Sequence, residues 1–103
     1  MGNRISVNIK KPSHDEVWKK SHPDINFHRC PLCRQNYMDR FIHTKSKTYG
    51  CWRRGYKISP SNGGSININN LIPICWDCSY RSKGEDLKDF SERVGYYMYR
   101  RLA

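Results

Sequence analysis

The clearest hydrophobic pattern in this 103-residue chain lies near its C-terminus, where apolar residues recur every three or four positions. This spacing places them on one face of a helix. The face comprises Leu87, Phe90, Val94, Tyr97 and Met98. Ser82 and Glu85 have the Ser-x-x-Glu spacing of a helix start. We therefore predict a C-terminal amphipathic helix that begins near Ser82.

A second helix is predicted nearer the N-terminus. Ser13 and Glu16 form a capping-box pattern, and Val17 and Trp18 follow as candidate buried residues. Pro23 cannot continue a helix, so the helix must end before it. The basic arm before this helix, residues 1–12, is expected to be a short strand or disordered. Its alternating apolar residues are Ile5, Val7 and Ile9.

Strand patterns in the middle of the chain are shorter. Phe27 to Arg29 reads as a strand, and Thr48 to Arg54 alternates as a strand does. Gly55 is a candidate turn, after which Tyr56 to Ser59 would return as the partner strand.

The remaining central segments carry no regular period. Residues 34–46 are polar and basic, and residues 60–64 have the composition of a loop. Residues 66–74 are apolar but are interrupted by asparagines and by Pro73, so we predict an irregular segment.

Four of the five cysteines form two Cys-x-x-Cys pairs, Cys30 with Cys33 and Cys75 with Cys78. Two such knuckles supply the four thiolates of a tetrahedral structural zinc site, and a closed site of this kind leaves no position for a reacting water. Disulfides, redox motifs and an iron–sulfur cluster are the alternatives. Cys51 is left over, and we expect a small buried residue there. A single Zn²⁺ would stabilise a chain of this size, which buries only about two-thirds of its unfolded surface.

The net charge of the chain indicates what kind of partner it binds. Nineteen Lys and Arg residues oppose nine Asp and Glu residues, which gives a formal net charge of +10. Such a charge favours a polyanion, above all nucleic acid, and less often an acidic protein or membrane surface; simple solubility is the plainest explanation. No segment has the length of a membrane span or the apolar core of a signal peptide, so we expect an intracellular protein without a membrane partner.

Residues 57–84 resemble the zinc-stabilised branch of the HNH endonuclease family. The shared features are a Pro, a Gly-Gly loop, Asn-Leu, a Cys-x-x-Cys and Lys-Gly, with an upstream Cys-x-x-Cys that completes the zinc site. The resemblance covers about residues 27–85. It implies a small α+β zinc-binding domain in which a β-hairpin precedes a helix. The residue patterns add a basic arm and short helix over residues 1–26 and a C-terminal helix over residues 86–103 that packs on this domain, so we predict a single domain overall.

The catalytic positions of that family are altered here. The general-base His falls on Lys57, and the metal ligands fall on Tyr56 and Ser79. Only the central Asn is retained, as Asn70. A cationic Lys repels a divalent metal and accepts no proton unless it is strongly desolvated, so the resemblance implies a hydrolytic site that has been lost.

A site of this kind retains the ability to hold phosphate. We predict a DNA-binding surface, for double-stranded DNA in particular, formed by basic side chains that converge where the catalytic metal would lie. They are Arg53, Arg54, Lys57, Arg81 and Lys83. Four aromatic residues are candidates for stacking on bases, although a core role is the more ordinary one. These are Trp52, Tyr56, Trp76 and Tyr80.

Two other functions stay open. One is an active metal-dependent endonuclease with an altered site, in which a histidine from outside the motif serves as base. The other is a zinc-stapled interaction or virion-assembly subunit that binds an acidic protein or forms a homodimer through Tyr96, Tyr97 and Tyr99. The richness in Ile, Asn and Lys is compatible with an AT-rich genome such as that of a phage or a large DNA virus.

Overall fold

The computed structural model describes residues 10–43 and 48–95. Within these ranges the chain forms three α-helices and two antiparallel hairpins, β1 with β2 and β3 with β4. In chain order the elements are α1 (His14–Ser21), β1 (Phe27–Arg29), β2 (Tyr37–Asp39), β3 (Trp52–Tyr56), β4 (Leu71–Cys75), α2 (Trp76–Ser82) and α3 (Leu87–Val94). The predicted small α+β class is confirmed.

The predicted capping box at the start of α1 is confirmed. The Ser13 hydroxyl accepts a hydrogen bond from the Glu16 amide at 3.1 Å, and the Glu16 carboxylate accepts one from the Ser13 amide at 2.8 Å. These two bonds satisfy amides that the first turn of a helix leaves without partners. Val17 and Trp18 are fully buried, and α1 ends at Ser21, two residues before Pro23.

The first hairpin carries the first Cys-x-x-Cys knuckle between its strands. The predicted strand Phe27–Arg29 is confirmed as β1, and it pairs with β2, which the sequence did not predict. Only Met38 of β2 is buried, so this strand offers too few apolar positions to show an alternation.

The second hairpin overturns the predicted turn at Gly55 and the predicted return strand from Tyr56 to Ser59. Gly55 lies inside β3, which runs on to Tyr56 and pairs with β4. A Cβ atom on Gly55 would lie 2.7 Å from Ile74 Cδ1 and 3.2 Å from Leu87 Cδ1. The glycine therefore suits the close packing of the Ile74 and Leu87 side chains against this strand, and the chain does not turn here.

The prediction of an irregular segment through residues 66–74 is wrong over its second half. Leu71–Cys75 is strand β4, and all five of its residues are buried. Because both faces are covered, the strand is apolar without alternation. Pro73 is tolerated because each strand of a two-stranded sheet has one edge that makes no ladder hydrogen bonds.

The start of the last helix also differs from its prediction. Ser82 is the final residue of α2, which is followed by Lys83 at a positive φ of 34°. The true N-cap of α3 is Asp86. The predicted apolar face is confirmed for Leu87 and Phe90, which are buried, and Gly95 ends α3 at a φ of 81°.

One hydrophobic core joins the elements. Trp18 of α1 and Trp52 of β3 lie at its centre, fully buried, with ring centroids 5.3 Å apart. The same core contains Met38 and Phe90. Residues from each of the three predicted parts of the chain, 1–26, 27–85 and 86–103, therefore contribute to it. No helix in the described part of the chain is long and apolar enough to cross a bilayer.

Some predictions fall on residues outside the described ranges. They are the alternation of Ile5, Val7 and Ile9, the continuation of the helical face to Tyr97 and Met98, and the aromatic cluster of Tyr96, Tyr97 and Tyr99.

Candidate metal centre

The two knuckles meet although they are distant in sequence. Cys30 directly follows β1, and Cys75 is the last residue of β4, so its Sγ also caps α2. Cys33 lies in the turn between β1 and β2, and Cys78 lies in α2. Their four Sγ atoms all lie within 4.8 Å of one another. Among the described residues, they form the only group of three or more side chains that could hold a metal ion.

The distances between sulfurs fit tetrahedral coordination. The Sγ atoms of Cys30 and Cys78 are 3.8 Å apart, and those of Cys33 and Cys75 are 3.9 Å apart. Four sulfurs at about 2.3 Å from a central ion would be separated by about 3.8 Å. The residues present therefore fit a four-thiolate metal ion.

Backbone amides surround the sulfurs as a thiolate site requires. The Cys78 amide donates to Cys75 Sγ at 3.4 Å, the Cys75 amide to Cys30 Sγ at 3.3 Å, and the Gln35 amide to Cys33 Sγ at 3.5 Å. The Asn36 side chain donates to Cys75 Sγ at 3.3 Å. These donors stabilise negative charge on sulfur and orient the ligands.

The ionisation of the four thiols is strongly interdependent. Hydrogen bonding with the Cys30 thiol is the main reason that the pKa of Cys75 is lowered to about 7, and it lowers the pKa of Cys33 as well. The same partner raises the pKa of Cys78. Four thiolates in this space thus require a cation, and metal binding would release the remaining protons.

The fifth cysteine lies outside this group. Cys51 is buried, as predicted, and its carbonyl accepts the Trp76 amide at 3.0 Å. Asp77, inside the second knuckle, pairs with Arg81 at 3.6 Å.

Two of the positions that the family resemblance singled out, those of Tyr56 and Ser79, lie on one cavity. Tyr56 at the end of β3 and Ser79 on α2 both line a space of about 270 Å³, together with Arg54. Arg54 donates to the Pro12 carbonyl at 2.7 Å, and Lys11 Nζ lies 4.4 Å from the Tyr56 ring centroid. The cavity is also lined by Glu85, whose carboxylate pairs with Arg93 at 2.8 Å.

The other predicted phosphate contacts are more dispersed. Lys57 lines a different cavity, which it shares with Lys20 of α1. Arg81 is on the last turn of α2, and Lys83 follows that helix with its Nζ 4.7 Å from the Tyr80 ring centroid. Arg53 is half-buried, and its Nε has no hydrogen-bond partner in the described structure.

Asn70 closes the loop between β3 and β4. Its Oδ1 accepts from the Ile58 amide at 2.8 Å, while its Nδ2 donates to the carbonyls of Ile58 at 3.0 Å and Ser65 at 2.7 Å. Gly64 packs so closely here that a Cβ would lie 1.8 Å from the Ile58 carbonyl oxygen. The Gly-Gly and Asn-Leu elements of the sequence thus shape this loop.

Sequence reasoning missed the pairing of the four histidines. His14 stacks on His43 and His22 stacks on His28, each with ring centroids 4.0 Å apart. Burial, followed by nearby cationic charge, lowers the pKa of His14 to about 4, and burial lowers the pKa of His22 to about 4. His14 and His43 are 29 positions apart, so no local pattern could reveal that pair, and His22 and His28, six positions apart, lie at the C-cap of α1 and in β1.

No known protein family, curated protein or solved structure matches this chain.

Proposed function

We propose that this protein is a zinc-stabilised, strongly basic nucleic-acid-binding protein, built on an HNH-like hairpin and helix that no longer hydrolyses its ligand. The observation that carries the proposal is the meeting of Tyr56 and Ser79 on one cavity beside Arg54. The resemblance assigns metal ligands to two of these positions, and they lie together in the folded chain although they are far apart in sequence.

The order of elements supports the same proposal. β3, β4 and α2 follow one another as the hairpin and helix of the HNH fold do, and the second knuckle joins the strand to the helix. Asn70 and Gly64, at the motif positions, hold the loop that precedes β4.

Zinc is the ion we propose for the four-cysteine site. Zn²⁺ accepts four thiolates in a closed tetrahedron and has no redox chemistry, which suits a site that only stabilises the fold. Iron accepts the same ligands, so metal analysis of the purified protein discriminates between the two. One equivalent of zinc per chain is expected, and stoichiometric iron would contradict the assignment.

The charge around the cavity explains why binding would persist without cleavage. Mg²⁺-type ions need carboxylate or other hard oxygen ligands, whereas Tyr56 offers a phenol and Ser79 a hydroxyl. Lys11 and Arg54 bring positive charge to the Tyr56 ring and the cavity beside it, and the Glu85 carboxylate on the same cavity is paired with Arg93. Fixed cations bind phosphate without activating a water.

The direct test is titration of labelled duplex DNA at several salt concentrations. Each phosphate contact contributes about 0.9 to the slope of log affinity against log salt. Arg54→Gln and Lys83→Gln should each lower that slope by about one contact. Lys88→Gln removes the same charge from the exposed side of α3 and should leave the slope unchanged.

Absence of binding to both duplex and single-stranded DNA at low salt would refute the nucleic-acid function and leave the protein-interaction alternative. Incubation of plasmid with Mg²⁺ or Mn²⁺ tests the other alternative, an active endonuclease. In the described structure no histidine lines the cavity of Tyr56 and Ser79. We expect no nicking, and metal-dependent nicking that a histidine substitution abolishes would overturn the loss of catalysis.

A further inference from the structure

A further cavity borders the metal centre at Cys75, and three aromatic residues line it. Tyr37 of β2, Tyr49 and Trp76 of α2 line a space of about 270 Å³. Three polar residues, Asn36, Thr48 and Asp77, also line it. We call this space the aromatic cavity. It shares Cys75 with the metal site and no lining residue with the cavity of Tyr56 and Ser79.

Its aromatic walls are exposed to an unusual degree. Tyr49 is 81% exposed, the highest value among the large hydrophobic residues in the described ranges, and Tyr37 is 43% exposed. By contrast, Trp18 and Trp52 are completely buried. An aromatic side chain left this open beside a cavity gains little from the fold, so its apolar surface is available to a ligand.

The surroundings extend the aromatic surface and add positive charge. Tyr80 stacks on Trp76 with ring centroids 5.2 Å apart and planes at 9°. The guanidinium of Arg29 lies 5.0 Å from the Tyr37 ring, and Lys83 lies over Tyr80. Alternating aromatic and cationic side chains form the kind of surface on which single-stranded nucleic acids stack their bases.

We propose that the aromatic cavity binds one unpaired nucleobase, so that the protein prefers single-stranded or locally unpaired nucleic acid; this inference rests on the proposed nucleic-acid function. The volume lies just below the roughly 300 Å³ at which pockets for drug-sized ligands begin, and it suits a single flat ring system. The lining residues Asn36, Thr48 and Asp77 are of types that carry donors and acceptors like those at the edge of a base, with the Asn36 Nδ2 already donating to Cys75 Sγ and the Asp77 carboxylate paired with Arg81.

A phosphate is a poor occupant of the same space. The Asp77 carboxylate forms part of the wall and repels an anion, although Arg81 partly neutralises it. The phosphates of a bound strand would instead lie outside, near Arg29 and Lys83, while the base enters between the rings.

The test compares two single strands of equal length and charge, one with bases and one abasic, by titration at low and high salt. Phosphate contacts weaken with salt, whereas stacking is much less sensitive to it. We expect the base-bearing strand to bind at least about fivefold more tightly, and the difference to persist at high salt. A bound base should quench the tryptophan fluorescence of Trp76 alone, because Trp18 and Trp52 are completely buried.

Variants assign the preference to this cavity. Tyr49→Ala should abolish the advantage of the base-bearing strand, and Tyr49→Phe should retain it because the ring remains. Phe41→Ala is the matched control, since Phe41 is 67% exposed and does not line the cavity. Zinc content and circular dichroism test whether each variant folds. We expect both to fold, because Tyr49 and Phe41 are largely exposed and their truncation removes little buried surface.

The outcomes separate this inference from the function on which it rests. Equal affinity for abasic and base-bearing strands, with a normal salt slope, would refute the base site and leave phosphate binding intact. An advantage that survives in Tyr49→Ala would place the base elsewhere and also refute it. Failure of every strand and duplex to bind would refute the proposed function itself.

Discussion

Removal of the metal should unfold the whole described domain and not only the two knuckles. The four sulfurs join β1, β4 and α2, and the core residues Met38 and Trp52 lie in strands next to the site. We predict that the wild-type protein loses its near-UV circular dichroism when a strong chelator removes the ion. Cys78→Ser should show the same loss without chelator, because it removes a fully buried ligand.

The contribution of the metal to the free energy of unfolding can be estimated from the size of the chain and from the length of the loop that the metal closes. Domains of this size are stable by about 5–15 kcal/mol, whereas a structural Zn²⁺ site contributes roughly 10–16 kcal/mol at neutral pH. Cys33 and Cys75 are 42 positions apart. Closing a loop of that length in the unfolded chain accounts for about 4 kcal/mol by the chain-entropy relation. The metal therefore contributes about as much as the total stability, and the apoprotein has little left.

The control is Cys51→Ala, which changes a buried cysteine that is not a ligand. It should still bind one equivalent of metal and lose only about 1 kcal/mol of stability through the small cavity it creates. Metal release is measured with a zinc-sensitive dye during urea unfolding. Native near-UV circular dichroism in fully metal-free wild type would refute the reasoning, as would unfolding of Cys51→Ala together with loss of metal.

Three further predictions concern the loop and the histidines. Asn70→Ala should lower the free energy of unfolding by about 2–3 kcal/mol, because it removes three hydrogen bonds. The control is Asn69→Ala, which changes an exposed side chain and should alter the free energy of unfolding little. Chemical denaturation measures both variants. Gly64→Ala should destabilise more than Gly63→Ala in thermal melts, because its Cβ collides with the Ile58 carbonyl, while Gly63 has open space and only an unfavourable φ of 89°. Burial lowers the pKa of His22 from 6.5 to about 4, so the unfolded state takes up a proton first as the pH falls. The contribution of neutral His22 to the free energy of unfolding is complete above pH 6.5 and is lost towards pH 4. In chemical denaturation across that range, the free energy of unfolding of His22→Gln should therefore fall less steeply with decreasing pH than that of wild type. An equal slope for the two proteins would contradict this prediction.

The sequence alone defined the features that depend on neighbours along the chain. The capping box of Ser13 and Glu16 and the buried positions Val17 and Trp18 follow from local hydrogen bonding and helical period. The buried face of α3 follows in the same way. The grouping of the four cysteines could also be predicted from residue type and spacing, because the two thiols of a Cys-x-x-Cys knuckle lie close together.

Gly55 and β4 were misread because their reasons lie elsewhere in the chain. Gly55 resembles a turn residue by type, and only the packing of Ile74 and Leu87 against β3 shows why a side chain is excluded. β4 has no alternating pattern because both of its faces are covered, and Pro73 conceals it further.

Both candidate ligand cavities were likewise decided by tertiary structure. Tyr56 and Ser79 meet because α2 packs against the second hairpin. Tyr37, Tyr49 and Trp76 meet because backbone hydrogen bonds join Asp39 to Gly50 and Trp76 to Cys51. Local sequence determines the conformation of a short segment through its own hydrogen bonds and period. Which distant segments share a surface depends on burial of the common core and on closure of the four-cysteine site, and no short stretch of sequence contains that information.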